Sequence, residues 1–125
     1  MQQLLDNPFL LARMQEVNSF LASTVHVFHA HGRRGSRWAD DEPAIASMQR
    51  KVAANMAECF GVIERHYLGD APWVLGSDYS VADAYLFTIA GWLEGDGVDI
   101  AGFPKVQAHF KRMGERAAVR GALGG

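Results

Sequence analysis

Five histidines, one cysteine and a cluster of arginines are the side chains in this sequence best equipped to do chemistry. His26, His29 and His31 fall together in HVFHAH. Imidazole is a common metal ligand, so the trio raises the question of a metal site. His26 and His29 are three residues apart and share a helix face, whereas His31 turns away from it. A zinc site needs three or four ligands. No cysteine or acid stands at a supporting spacing, so a metal site is not expected. Arg33, Arg34 and Arg37 follow in HGRRGSRWADDEP. Guanidinium groups match carboxylate and phosphate geometry. The plainer reading is that they sit at a helix C-terminus, favoured by its dipole, and pair with Asp40, Asp41 and Glu42. Cys59 lies at the edge of an apolar stripe and is expected to be a buried, inert thiol, because reactive cysteines need an electropositive, accessible setting. Glu94, Asp96 and Asp99 lack the spacing of a calcium loop with its closing Glu, so a solvated loop is expected. His66 and His109 read as surface residues.

The elements that must position these groups are helices. Asn7-Pro8 is a good start, with Asn as N-cap and Pro at the first helical position. The pattern then runs to about Ala30, with Met14, Val17, Leu21, Val25 and Phe28 forming an amphipathic stripe. Another face carries Ser19, Ala22, Ser23, His26 and Ala30. It is polar and small rather than rich in Lys and Glu, so it reads as the floor of a cleft or a docking surface, with simple exposure as the alternative. A second helix runs from Asp41–Pro43 to about Leu68, on a stripe of Ile45, Met48, Val52, Met56, Phe60, Ile63 and Tyr67. Arg50, Lys51, Glu58, Glu64 and Arg65 lie away from it.

A connector punctuated by Pro72, Gly76 and Asp78 carries Trp73, Val74 and Leu75, expected to plug the core. The stretch YSVADAYLFTIAGWL then opens with Ser80 and Asp83 at capping-box spacing. It is apolar on nearly every side and too short to span a bilayer, which needs about 20 apolar residues. A buried central helix over about 80–94, ended by Gly95, is therefore expected. The last helix starts at Phe103-Pro104, with Phe103, Val106, Phe110, Met113 and Ala117 as its stripe. Order is not expected at Gly121–Gly125. No segment alternates as a strand does. The expected fold is all-α, a single domain over 1–125 with about four main helices around the central one.

Composition narrows the function. The net charge of −2 supplies no general basic field for nucleic acid. One cysteine cannot form an internal disulfide, which fits a reducing cytoplasm. The N-terminus lacks a signal-peptide layout, because Asp6, Asn7 and Pro8 interrupt it.

The stretch WVLGSDYSVADAYLFTIAGWL resembles the signature of the C-terminal domain of the glutathione S-transferases, through Trp73, Gly76, Tyr79, Ser80, Ala82 and Asp83. FPKVQAHFKRMGERAAVRGAL is similar to that family's closing helix at Phe103, Pro104, Met113, Glu115-Arg116 and Val119. NSFLASTVH resembles the bacterial beta-class members, where an apolar-aromatic run leads to a histidine. The resemblance implies a two-domain enzyme. A thioredoxin-like domain holds glutathione, and the helical domain forms most of the pocket for a small hydrophobic electrophile. By resemblance His26 matches a histidine of the glutathione site and is the catalytic candidate, while Ser80 and Asp83 are structural. The sequence shows no βαβ pattern and no cis-proline segment to hold glutathione. No cofactor is thus expected on this domain alone, and glutathione enters as co-substrate once a thioredoxin-like domain completes the site. Two functions follow. One is the electrophile-site half of a glutathione-conjugating enzyme, weak or inactive alone. The other is a non-catalytic binding or dimerisation module, or a truncated family member. A homodimer is expected, with neither nucleic acid nor membrane as partner.

Overall fold

The computed structural model describes residues 6–116. Ala117, Val119 and Gly121–Gly125, to which the sequence pattern assigned part of the last helix and a loose end, lie outside the described residues. Helices dominate, and among the described residues no strand forms; the one β-type pairing is an isolated bridge between Trp73 and Gly76.

Helix α1 spans Pro8–Phe20. Asn7 caps it as expected, its side chain accepting from the backbone N–H groups of Phe9 and Leu10 at 3.0 and 3.3 Å. The chain continues without a break through a π-helical turn, Leu21–Val25, into α2, His26–Ala30. After the loop, which holds a short 3-10 turn at Gly35–Arg37, α3 runs Glu42–Val62 and ends in a second π-helical turn, Ile63–Tyr67. Helix α4 is Val81–Ala90, and α5 is Pro104–Glu115, preceded by a 3-10 turn at Ile100–Gly102. These make four helical rods, matching the expected all-α bundle.

The stripes read from the sequence meet in one core. Val17, Leu21 and Val25 come from the first rod, and Val52, Met56, Phe60 and Ile63 from the second. Leu86 and Ile89 come from α4, and Val106 and Met113 from α5. Burial of apolar surface of this kind contributes roughly 1.5–3 kcal/mol per large side chain before the entropy of ordering is counted. Val74 plugs the core, with Trp73 and Leu75 half-buried beside it. The connector reverses through a tight bridge, Trp73 and Gly76 exchanging two backbone hydrogen bonds at 3.0 Å. Gly76 has φ +113°, a conformation L side chains rarely adopt, which is why a glycine stands there.

Asp83 is the polar centre of this core, with no solvent exposure. The capping box with Ser80 is formed in both directions. One carboxylate oxygen accepts from the Ser80 N–H at 2.9 Å. The other accepts from the Val74 N–H at 2.9 Å and from His109 Nε2 at 2.8 Å. Asp83 therefore ties the connector, the start of α4 and the middle of α5 together. His109 is the first correction to the sequence reading: it is 1% exposed, not a surface residue. By type it reads as an outer-face residue of the last helix, but Asp83 supplies the acceptor that lets an imidazole enter the core. Its Nδ1 is buried without a partner.

Two polar links tie the other rods. Arg13 of α1 reaches the carbonyls of His66, Tyr67 and Val74, its Nη2 lying 3.1 and 3.2 Å from the first two. Glu64 accepts from the N–H groups of Lys105 and Val106 at 2.9 and 3.0 Å, satisfying the first turn of α5 with a carboxylate where the helix dipole favours one.

The second correction concerns where α4 stops. It ends at Ala90, before the expected Gly95. From Gly91 the chain tightens into i→i+3 bonds, Trp92 to Ile89 and Leu93 to Ala90. The reversing residue is Gly97, at φ +84°.

Truncating Asp83 strands the Val74 N–H and His109 in the core. Breaking a buried pair of this kind costs about 3–5 kcal/mol, whereas losing the Ser80 cap alone costs about 1 kcal/mol. In urea unfolding, Asp83→Ala should thus lose several times the stability that Ser80→Ala loses. Equal losses would mean that Asp83 acts as a cap and no more.

Candidate functional site

The first rod and the turn after α4 enclose a cavity of about 450 Å³. His26, Val27, His29 and Ala30 line it from α2, Arg33, Arg34, Arg37 and Trp38 from the loop, and Trp92 from the turn. His26, His29 and the three arginines of the loop thus converge here.

His26 sits at the first position after the π-helical turn, with its backbone N–H bonded to the Leu21 carbonyl five residues back. Its Nδ1 lies 3.3 Å from the Tyr85 hydroxyl of α4. Trp92 packs against its ring at a centroid distance of 5.1 Å. The residue as a whole is exposed. The long contact to Tyr85 leaves two complementary states: a Tyr85 O–H donating to Nδ1, or an Nδ1–H donating to the phenol oxygen. In the first, Nε2 is a donor; in the second, it is an acceptor.

The π-helical turn also revises the five-residue face. Of Ser19, Ala22, Ser23, His26 and Ala30, the cavity takes only His26 and Ala30. Ser19, Ala22 and Ser23 are exposed before or within the turn, and the Ser23 hydroxyl is used locally on the Ser19 carbonyl at 2.6 Å. An i→i+5 turn is wider than an α turn, so it rotates everything after it relative to a 3.6-residue register. A periodicity count cannot see that.

His29 was read only as a possible metal ligand. Its Nδ1 lies 2.6 Å from an Asp96 carboxylate oxygen whose side chain is 10% exposed. Its ring stacks on Trp92 at 4.1 Å, with 15° between planes. A carboxylate on Nδ1 fixes the ring's orientation and makes that nitrogen the donor. The expectation that Asp96 is a solvated loop acid is therefore corrected. Glu94 is exposed as expected, and Asp99 caps the 3-10 turn through the Ala101 N–H at 2.9 Å. Nothing local in the sequence joins Asp96 to His29, since 67 positions separate them. Tyr85, Trp92 and Trp38 were likewise missed as site residues, for they read as core or loop aromatics.

The loop is anchored, which gives the arginines a common frame. Gly35 is buried, and a Cβ there would meet Ile45 Cγ2 at 3.0 Å, so a glycine lets the loop lie directly on α3. Arg34 N–H bonds the Ala30 carbonyl at 2.7 Å, and the Gln49 side chain donates to the Gly32 carbonyl. Trp38 meets the His31 ring edge-on at 4.5 Å. The expected pairing of the arginines with Asp40, Asp41 and Glu42 does not form: among the described residues the ion pairs are His29–Asp96 and His109–Asp83.

Outside the cavity, the fold shifts the titration of Cys59 and Tyr67. Burial, with a smaller contribution from Glu58, pushes the Cys59 thiol up to about 11. Burial, and a hydrogen bond that the phenol donates to the Glu16 carboxylate, raise the Tyr67 phenol. A larger, mostly apolar recess of about 1010 Å³ lies between the end of α4 and α5. Its lining holds no histidine, cysteine or arginine, so the smaller cavity is the candidate for chemistry.

The profile described as "Glutathione S-transferase, C-terminal domain" matches residues 42–112. Glutathione S-transferase GstA of Escherichia coli O157:H7 is 38% identical over 56 residues, 45% of this chain and 28% of that protein. Among solved structures, a glutathione transferase homolog from Sulfitobacter, crystallised with bound glutathione, is 42% identical with a TM-score of 0.90. It covers 94% of this chain and 56% of its own. The beta-class enzyme of Sphingomonas chungbukensis is 26% identical with a TM-score of 0.75, over 95% of this chain and 55% of its own. This chain thus spans about half the length of these solved relatives.

Cys59 is inert on this account, since little of a thiol with so high a pKa is thiolate at pH 8 and the side chain is buried. Its labelling by a disulfide reagent should be slower by about 100-fold or more in buffer than in denaturant. The sign of the pH effect follows. The folded thiol keeps its proton above 9, where the unfolded one loses it, so this contribution to stability is complete below pH 9 and is lost as pH rises toward 11. Labelling at similar rates in both states would show an accessible thiolate.

Proposed function

The chain belongs to the glutathione S-transferase family through its C-terminal helical domain, and from that premise we propose that it is the electrophile-site half of a glutathione-conjugating enzyme. The observation that carries this reading is the cavity at His26, with a phenol and two tryptophans beside a histidine that its neighbours orient. In this reading glutathione is the co-substrate, held by a thioredoxin-like domain on the same or another chain, and a small electrophile lies in the cavity. His26 takes the thiol proton through Nε2, with Tyr85 holding Nδ1. The sulfur then forms a bond to the electrophilic carbon, and the leaving group departs with the electron pair of the bond it gives up. Thiolate is the nucleophile, so removing that proton is the step a histidine accelerates. The bound glutathione of the Sulfitobacter relative supports the choice of co-substrate.

Ser19, Ala22 and Ser23 are exposed and small, and we assign them to self-association as a homodimer. No described helix is long and apolar enough to cross a membrane, and the single free cysteine fits a reducing cytoplasm, where we place the protein.

Conjugation of glutathione to 1-chloro-2,4-dinitrobenzene tests the reading, with the purified chain alone and with a thioredoxin-like glutathione-binding domain added. Activity should rise on addition, and His26→Ala should lower it by about 100-fold, in the range of a lost general base. The proposal fails if the added domain neither binds nor raises turnover. Light scattering at micromolar concentration should give twice the chain mass, and a monomer would remove the assignment of the small-residue face.

A further inference from the structure

We propose that the cavity selects an electrophile bearing an acidic group on an aromatic ring, with Arg33, Arg34 and Arg37 reading the anion. This rests on the cavity's reading as the electrophile site and names its substrate class.

The charge is local, not a consequence of composition. The protein carries a net charge of −2, yet three arginines, all exposed, are among the residues lining one cavity of about 450 Å³. Acids follow them closely in sequence at Asp40, Asp41 and Glu42, yet no arginine–carboxylate pair within 4 Å forms among the described residues. The carboxylate that does bond a lining residue, that of Asp96, is committed to His29 at 2.6 Å. The anion capacity of the arginines is therefore unspent, on a loop that buried Gly35 holds against α3. Planar donor forks favour carboxylate and sulfonate groups, which they bind bidentately.

The remaining lining specifies the rest of the ligand. Trp38 and Trp92 present aromatic surface, and Trp38 is 47% exposed, unusual for so large an apolar side chain. Aromatic faces favour a flat ring, and the volume falls within the usual range of roughly 300–1,000 Å³ for small-molecule pockets. A small inorganic anion would leave the tryptophans uncovered. A neutral ring would leave the arginines unanswered. An aromatic acid uses both.

Carboxylate chemistry has a second source, glutathione itself, and the test separates the two. Tryptophan fluorescence of the full chain is titrated with naphthalene-2-sulfonate, with 2-naphthalenemethanol as neutral counterpart, with sodium sulfate, and with glutathione. The sulfonate should bind about 10-fold or more tightly than the alcohol, and its affinity should fall with added salt, as expected for exposed charges. Sodium sulfate should bind more weakly than the sulfonate. Arg33→Gln, Arg34→Gln and Arg37→Gln together should remove the preference for sulfonate over alcohol while leaving the urea midpoint in place. Equal binding of sulfonate and alcohol, or a preference that survives the triple substitution, overturns the proposal. So does glutathione binding with the same dependence on the arginines and displacing the sulfonate, because the anion read would then be the co-substrate's. These are binding measurements, so loss of conjugation activity leaves them intact. Failure of the catalytic reading and failure of the anion site are thereby distinguished.

Discussion

One buried carboxylate holds the described fold in register. Asp83 has no contact with solvent, and its oxygens accept from the connector, from its own helix start and from α5. A buried carboxylate so placed is costly unless its oxygens find donors. That requirement demands that Val74, Ser80 and His109 arrive at once. A buried network of this kind is satisfied only when its parts are assembled together. It places α4 relative to its neighbours more specifically than apolar packing alone, which tolerates sliding.

The candidate site inherits this placement. Helix α4 carries Tyr85 to His26, and the turn after it carries Trp92 and Asp96 to the rings of His26 and His29. The tightening at Gly91 and the reversal at Gly97 bring Asp96 back toward the first rod, where a longer helix would carry it past. Structure and chemistry are divided between the two acid–histidine pairs. Asp83–His109 is sealed in the core, whereas Asp96–His29 opens on the cavity with the histidine 27% exposed.

The fold was largely legible in the sequence because its signals are local or periodic. Asn7-Pro8, the Ser80–Asp83 box and the apolar stripes each depend on residues within a few positions of one another; both caps form, and the stripes supply the core at Val17, Leu21, Val25, Val52, Met56, Phe60, Ile63, Val106 and Met113, though not at Ile45 and Met48. The site was legible in its parts but not in its assembly. His26, His29 and the arginines stood out by type, yet the histidines' hydrogen-bond partners, Tyr85 and Asp96, lie 59 and 67 positions away, with Trp92 between those two. No spacing rule connects such residues. The π-helical turn at Leu21–Val25 defeats the periodicity that grouped Ser19, Ala22 and Ser23 with His26. His109 was misplaced for the same physical reason that makes it useful: an imidazole is polar by type, and only its acceptor shows that it can be buried.

Native-state hydrogen exchange tests the role of Asp83 most directly. The Val74 and Ser80 amides donate to its carboxylate from outside any helix, and connectors ordinarily exchange through local opening. If the carboxylate holds the bundle together, both amides should exchange only by global unfolding, with the same protection as the amides of Leu86 and Ile89 in α4. Exchange of Val74 and Ser80 at the fast rate of the surrounding connector, with α4 still protected, would contradict the account.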